Sequence, residues 1–296
     1  MNNIIETNSL TKKYGKQTAV NQMSIHIEKG DIYGLIGKNG AGKTTLMKLL
    51  LGLSTPNCGE IKLFGSTDLK AARARIGSLI EAPALYNNET ALENMRRFAL
   101  LSPTSEEEIQ RLLEFVGLAD TGKKKAGAFS LGMRQRLGIA IALLGKPEVL
   151  ILDEPINGLD PAGIKEIRDL ILKLNEQGVT FMISSHLLDE LGKIATKYGI
   201  VAGGVLVEEI TAQVLADKCR KSLKLTVSDA ELAASLLTQA DPQIRLNYCT
   251  GFLHILSEVE DVSVIVELLV KNGVRIYEVR NESQNYEDFF IERMER

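Results

Sequence analysis

Eight consecutive residues, Gly37-Lys38-Asn39-Gly40-Ala41-Gly42-Lys43-Thr44, constrain the fold of this chain more than any other stretch. They match the phosphate-binding loop pattern G-x-x-x-x-G-K-S/T without a break. A triphosphate carries several negative charges that must be met at close range, and side chains are too bulky to surround it. Glycines at 37, 40 and 42 let the backbone curl so that successive N–H groups point inward at the β-phosphate. Lys43 supplies a positive charge to the β- and γ-phosphates, and the Thr44 hydroxyl is placed to ligate Mg2+. The flanks agree with this. Residues 31–36 read as a buried strand entering the loop, and residues 44–51, Thr45 among them, read as a helix whose positive N-terminus faces the phosphates. Four set positions match by accident in a chain of this length on the order of once in a hundred, and requiring the strand and helix lowers that several-fold. A nucleoside triphosphate site follows.

The bulk properties narrow the class. With 296 residues there is room for one α/β domain and a smaller appendage. A hydrophobic content of 45% with 25% charged residues is that of a soluble globular protein. The net charge of −3 argues against a nucleic-acid partner, which calls for a basic patch. The run Lys123-Lys124-Lys125 reads as solvated surface. Cys58, Cys219 and Cys249 are odd in number, widely spaced and without a metal pattern, as reduced thiols of a cytosolic protein are. No apolar run reaches the roughly 18 residues of a membrane span, and no signal-peptide pattern opens the chain. The expectation is a cytoplasmic chain whose membrane role, if it has one, comes through a partner.

Periodicity orders the rest. Met23, Ile25 and Ile27 alternate with polar residues, His26 among them, as in half-buried antiparallel strands. Tyr14 stands in a polar stretch before the loop and reads either as a surface tyrosine or as a platform for a purine ring. After the loop helix come strands at 60–64 and 76–80, the second ending at Glu81. Composition then turns helical over roughly 82–145, with capping boxes at Thr90–Glu93 and Ser105–Glu108 and an apolar face of Ile109, Leu112, Leu113 and Val116. The apolar strand Val149–Leu152 resumes the core. A helix capped by Asp160 follows, then a strand at 179–184, a helix at 187–194 and a hairpin around Gly203-Gly204. Strands alternating with helices make a parallel-sheet α/β fold. From 221 to 296 the order βαββαβ, with helices near 229–239 and 260–271 and a closing aromatic helix, predicts a small α+β domain of the ferredoxin-like kind.

A second constellation adds chemistry. Leu150-Ile151-Leu152-Asp153-Glu154-Pro155 puts two carboxylates at the end of a buried strand, the end that faces the nucleotide in a phosphate-loop fold. One carboxylate holding Mg2+ and a second orienting the attacking water is what hydrolysis needs. Upstream stands Phe129-Ser130-Leu131-Gly132-Met133-Arg134-Gln135-Arg136; downstream stand Asn157-Gly158-Leu159-Asp160 and Ser184-Ser185-His186.

With these motifs in this order, residues 1–220 resemble the ATP-binding subunits of ABC transporters. The resemblance implies a P-loop ABC ATPase core with antiparallel and helical subdomains, hydrolysing ATP with Mg2+. It makes Tyr14 the adenine-stacking aromatic, 37–44 the Walker A loop, Asp153 the Walker B aspartate and Glu154 the catalytic glutamate. Ser130 and Gly132 match the signature motif, Asp160 the D-loop aspartate, and His186 the switch histidine that contacts the γ-phosphate. Four positions depart from the pattern. Leu131 replaces a signature glycine, Met133 its glutamine, and Ile156 a threonine; Glu81 stands where a glutamine is usual, adding a carboxylate near Mg2+. Glu81 together with Ser-Leu-Gly-Met before Arg-Gln-Arg resembles the branch that exports bacitracin and lantibiotics and confers self-immunity.

The resemblance also implies partners. Ser130 caps a helix whose dipole points away from its own nucleotide, and in the family that helix end meets the γ-phosphate held by a second subunit. Two ATP molecules are then sandwiched in a homodimer or a paralogous heterodimer. The stretch from Ala82 to Leu101 is the expected dock for a transmembrane permease, which would hold the chain at the cytosolic face of the membrane. Rival readings are a soluble ABC ATPase working on ribosomes or DNA, a regulatory subunit that does not hydrolyse ATP, and an exporter of unrelated cargo.

Overall fold

The computed structural model describes residues 3–102, 104–219, 222–257, 259, 261–282 and 286–294. The chain opens with strands β1 (Asn3–Tyr14), β2 (Gln17–Met23) and β3 (His26–Glu28), and β4 (Ile32–Ile36) runs into the phosphate loop. Helix α1 (Lys43–Leu50), β5 (Cys58–Leu63), α2 (Leu69–Arg73) and β6 (Ile76–Leu79) follow. The helical segment holds α3 (Ala91–Ala99), α4 (Glu106–Phe115) and α5 (Leu131–Ala142). The core resumes with β7 (Val149–Asp153), α6 (Pro161–Glu176), β8 (Thr180–Ser185), α7 (Leu188–Gly192), β9 (Lys197–Ala202) and β10 (Val205–Thr211). Last come α8 (Ala212–Lys218), β11 (Ser222–Val227), α9 (Ala230–Ala240), β12 (Leu246–Cys249), β13 (Phe252–Ile255), α10 (Val262–Lys271), β14 (Ile276–Glu282) and α11 (Tyr286–Met294).

Two compact units result, one of residues 1–212 with 290–296, the other of residues 213–289. The first is built on a sheet ordered β10-β9-β4-β8-β7-β6, parallel except for the antiparallel edge strand β10. Every residue of β4, β7 and β8 is buried, because a parallel sheet covered on both faces has no polar side. β1 pairs antiparallel with β2, β3 and β5, and its apolar face (Ile5, Leu10) joins α1 residues Leu46 and Leu50 and sheet residues Leu35 and Ile151 in one core. Thr90 and Glu93 close a reciprocal capping box on α3. At α4 only half the expected box forms. Ser105 accepts the Glu108 N–H, but the Glu108 carboxylate lies 3.2 Å from Arg111 and 3.6 Å from Lys146 instead. Helix α7 is shorter than its apolar spacing predicts, and α8 answers to no signal in the pattern.

The second unit carries an antiparallel sheet ordered β12-β13-β11-β14, with the first strand between the third and the fourth. Leu223, Leu225, Leu253 and Ile255 of the sheet pack with Ala233 and Leu237 of α9 and Ile265 and Leu269 of α10. The expected domain junction at 220/221, and the first residue of the helix expected at 260–271, lie outside the described residues. The compact units divide instead between Ala212 and Gln213, and the last turns of α11 return to the first unit. There Phe290 packs 5.4 Å from the Tyr198 ring and Arg293 pairs with Glu208 at 2.6 Å.

Candidate functional site

The loop after β4 needs its glycines for two different reasons. Gly42 has φ of 103°, and a Cβ there would lie 2.2 Å from the Ala19 carbonyl oxygen. Gly37 has ordinary φ, but a Cβ would lie 2.5 Å from the Val201 carbonyl oxygen, so crowding rather than curvature demands glycine. The Lys43 side chain is buried and folds back along the loop. Its Nζ donates to the Gly37 carbonyl at 2.6 Å and stands 3.5 Å from Glu154 Oε1.

β7 and β8 deliver the carboxylates. They run parallel and in register, Asp153 beside Ser184, so their C-terminal ends stop level with each other. Thr44 Oγ1, at the start of α1, donates to Asp153 Oδ2 at 2.7 Å. Ser184 Oγ donates to Asp153 Oδ1 at 2.5 Å and accepts the Glu154 N–H at 2.9 Å. Glu154 has φ of 49°, a left-handed turn that swings its side chain off the strand. Its Oε2 lies 2.8 Å from His186 Nδ1, while Oε1 is buried with no hydrogen-bond partner in the protein. A buried acceptor left open costs stability unless something else supplies a donor.

A cavity of about 310 Å3 opens over the loop, lined by Tyr14, Gln17, Ala19, Asn39 to Thr45 and Glu154; Gly37, Asp153, Ser184 and His186 stand outside its lining. Tyr14 is half exposed, its hydroxyl 3.3 Å from Ser54 Oγ and its ring centroid 5.0 Å from Lys12 Nζ. Lys38 lines an adjoining cavity with Asn39 to Ala41 and Gly203. Gln17 and Ala19 belong to β2 and carry no motif, so nothing in the sequence singles them out. His26, expected on a solvent-facing side, is 44% exposed and sits 2.9 Å from Glu209.

The remaining candidates lie elsewhere. Ser130 caps α5 by accepting the Met133 N–H at 3.2 Å, and Asp160 caps α6 by accepting the Gly163 N–H at 3.1 Å. Neither residue, nor Gly132, lines the phosphate-loop cavity. They adjoin each other, since a Cβ on Gly158 would meet Leu131 at 3.2 Å and one on Gly132 would meet Leu159 at 3.8 Å. Ile156 is buried beside Ile164, Ile171 and Ile183, which explains an apolar residue at that place.

The donor set suits Mg2+. The ion takes oxygen ligands, keeps several waters and needs only one or two protein groups beside phosphate, and the Thr44 hydroxyl and the Asp153 carboxylate are oxygens already in contact. Glu81 is not with them. It sits after β6 with φ of 61°, its side chain 66% exposed, and bonds Lys48 at 2.7 Å. That hydrogen bond holds the Glu81 carboxyl below the ordinary range and raises the Lys48 ammonium above its own.

The comparisons with known proteins agree with this arrangement. A family model described as ABC transporter matches residues 20–157. The bacitracin transport ATP-binding protein BcrA of Enterococcus faecalis is 42% identical over 295 residues, 98% of this chain and 96% of that protein. The lantibiotic transport ATP-binding protein SrtF of Streptococcus pyogenes is 45% identical over 206 residues, 70% of this chain and 90% of its own. A solved structure described as the ATP binding subunit of an ABC transporter superposes with a TM-score of 0.65 at 28% identity, covering 72% of this chain and 92% of that one.

Proposed function

This chain belongs to the ATP-binding subunits of ABC transporters, a family of ATPases, and on that premise we propose that it powers export of a peptide antibiotic of the bacitracin or lantibiotic kind through a separate membrane permease. The observation that carries the reading is the extent of the likeness to a bacitracin transport ATP-binding protein. It runs over 98% of the chain, and so includes the second unit as well as the ATPase core. Resistance of the producing or exposed cell is the physiological outcome.

In the hydrolytic step, the Tyr14 ring stacks on adenine and the backbone of 37–44 wraps the phosphates, Lys43 turning from the loop carbonyls to the β- and γ-oxygens. Thr44 and Asp153 would hold Mg2+, which would supply positive charge to offset that of the phosphates. Glu154, which lines the cavity and whose Oε1 has no hydrogen-bond partner in the protein, accepts a proton as a water oxygen bonds to the γ-phosphorus and the bond to ADP breaks. His186 holds the other carboxylate oxygen and is placed to meet the phosphate that leaves. Ser130, Gly132 and Asp160 act across the interface of two copies, on the triphosphate held by the other copy, so that ATP closes the dimer and hydrolysis opens it. Residues 82–101 receive the permease and keep the subunit at the cytosolic membrane face. No helix among the described residues is long and apolar enough to cross a membrane, so the path for cargo belongs to the partner.

The test is antibiotic susceptibility in a sensitive host expressing this chain with its permease. Bacitracin and a lantibiotic are expected to lose potency, and Glu154→Gln is expected to restore it. Unchanged susceptibility to both, with the ATPase active and membrane-bound, overturns the cargo assignment and leaves the ATPase assignment standing.

A further inference from the structure

Ser184 is fully buried on β8, the strand between β7 and β4, in register with Asp153 on one side and Leu35 on the other. Its hydroxyl has one proton and gives it to Asp153 Oδ1 at 2.5 Å, while its lone pairs take the Glu154 N–H at 2.9 Å. The same N–H reaches the Ser184 carbonyl only at 3.2 Å. One oxygen atom therefore touches both carboxylate-bearing residues of the site.

Each contact has a consequence. With Oδ1 held by Ser184, the Asp153 carboxylate cannot rotate, and Oδ2 stays turned toward Thr44 at 2.7 Å. Glu154 sits at φ of 49°, where an L-residue persists only if its surroundings hold it there. The bond from its N–H to Ser184 Oγ is part of that hold, and the turn aims the Glu154 carboxylate between His186 and Lys43. Removing the oxygen deprives a buried carboxylate of a donor and loosens the turn, with little change in volume.

We propose that Ser184 is a positioning residue of ATP hydrolysis, keeping the metal-binding carboxylate of Asp153 and the proton acceptor Glu154 in one register. The proposal rests on the roles given above to Asp153 and Glu154. Ser184 acts through these two residues, as an outer group does in fixing the orientation of a ligand and the affinity of a metal site.

The test uses the full-length chain with Ser184→Ala, Ser184→Thr and Glu154→Gln, measuring steady-state hydrolysis and the affinity for a fluorescent ATP analogue with and without Mg2+. Ser184→Ala is expected to lose about 10- to 100-fold in kcat with KM little changed. Its affinity for the analogue without Mg2+ stays at the wild-type value, and the gain in affinity on adding Mg2+ shrinks. Ser184→Thr, which keeps the hydroxyl, restores both readouts. Wild-type turnover and a full Mg2+ gain in Ser184→Ala overturn the proposal. So does an equal loss of binding with and without the ion that Ser184→Thr fails to repair, since that is the signature of packing alone. Glu154→Gln tells the two roles apart: it is expected to lower kcat about 10²- to 10⁴-fold and keep the Mg2+ gain, and wild-type turnover there refutes the role of Glu154 whatever Ser184 does.

Discussion

The ends of β7 and β8 differ from the start of α5 in how their polar groups are bound. At the strand ends, Thr44, Asp153, Ser184, Glu154 and His186 form one chain of contacts, with Lys43 beside it. At the start of α5, Ser130 bonds only its own helix, Leu131 is 37% exposed, and Gly132 faces open space apart from Leu159. The first region gathers on one chain the groups proposed above to hold the phosphates and activate water. The second offers a helix N-terminus that its own phosphate loop does not use. Such a difference is what two copies need, if each is to complete the site of the other.

The contrast breaks most visibly at Glu154. Glu154→Gln is expected to lower kcat about 10²- to 10⁴-fold, the usual worth of a general base, while ATP still binds and an ATP-held dimer accumulates on size exclusion. A variant that turns over normally would place the proton acceptor elsewhere. Next in size is Gly132→Asp, which sets a carboxylate where the γ-phosphate of a second copy is expected. Like charges brought together across an interface cost several kcal/mol, on the order of a hundredfold in activity. ATP binding to the separate chain should be unchanged by equilibrium titration, and retained hydrolysis would disconnect α5 from the reaction.

Lys43→Ala probes the other side of the comparison. Loss of a charge-assisted hydrogen bond of about 1.5–3 kcal/mol predicts roughly 10- to 100-fold weaker ATP binding, read by calorimetry. Tyr14→Ala removes a stacking surface worth about 1 kcal/mol, the low end for an aromatic platform, because the ring is half exposed. The expected weakening is a few-fold for ATP and absent for free triphosphate, which has no base to stack.

The smallest effect is one of pH. The Glu81 carboxyl is lowered in the folded chain, so its contribution is complete above the ordinary glutamate value of about 4.3 and fades as pH falls through its own lower value. The Lys48 ammonium is raised, so its contribution is complete below the ordinary lysine value of about 10.4 and fades as pH rises through its higher one. Between those limits the pair is intact, but it is exposed and weakened by salt. Melting curves of Glu81→Gln and wild type should converge at both extremes and differ slightly at neutral pH in low salt.

Legibility followed the range of the interactions. The phosphate loop, the apolar run Val149–Leu152 of β7 and the Asp160 cap with Pro161 behind it were readable, because each is set by residues within a turn or two. Ser105–Glu108 was readable only in part, since Arg111, three residues on, and Lys146, far along the chain, both draw the Glu108 carboxylate away from the cap. Glu81 illustrates the same limit. The family resemblance puts its carboxylate near Mg2+, while in the fold it bonds Lys48, 33 positions away. Ser184 looks like any strand-end serine until the register of β7 and β8 is known.

The amino-acid sequence by itself determined a triphosphate loop between strand and helix, two carboxylates at a buried strand end, and the order of most elements, with the short helices α2 and α8 left unread. These are properties of spacing and of local hydrogen bonding. Tertiary structure alone decided that Ala19 and Val201 crowd the loop, that one serine hydroxyl joins Asp153 to Glu154, and that β11 lies between β13 and β14. Those outcomes depend on strand register and on backbone brought together from distant parts of the chain, and only the packed core sets which partners meet.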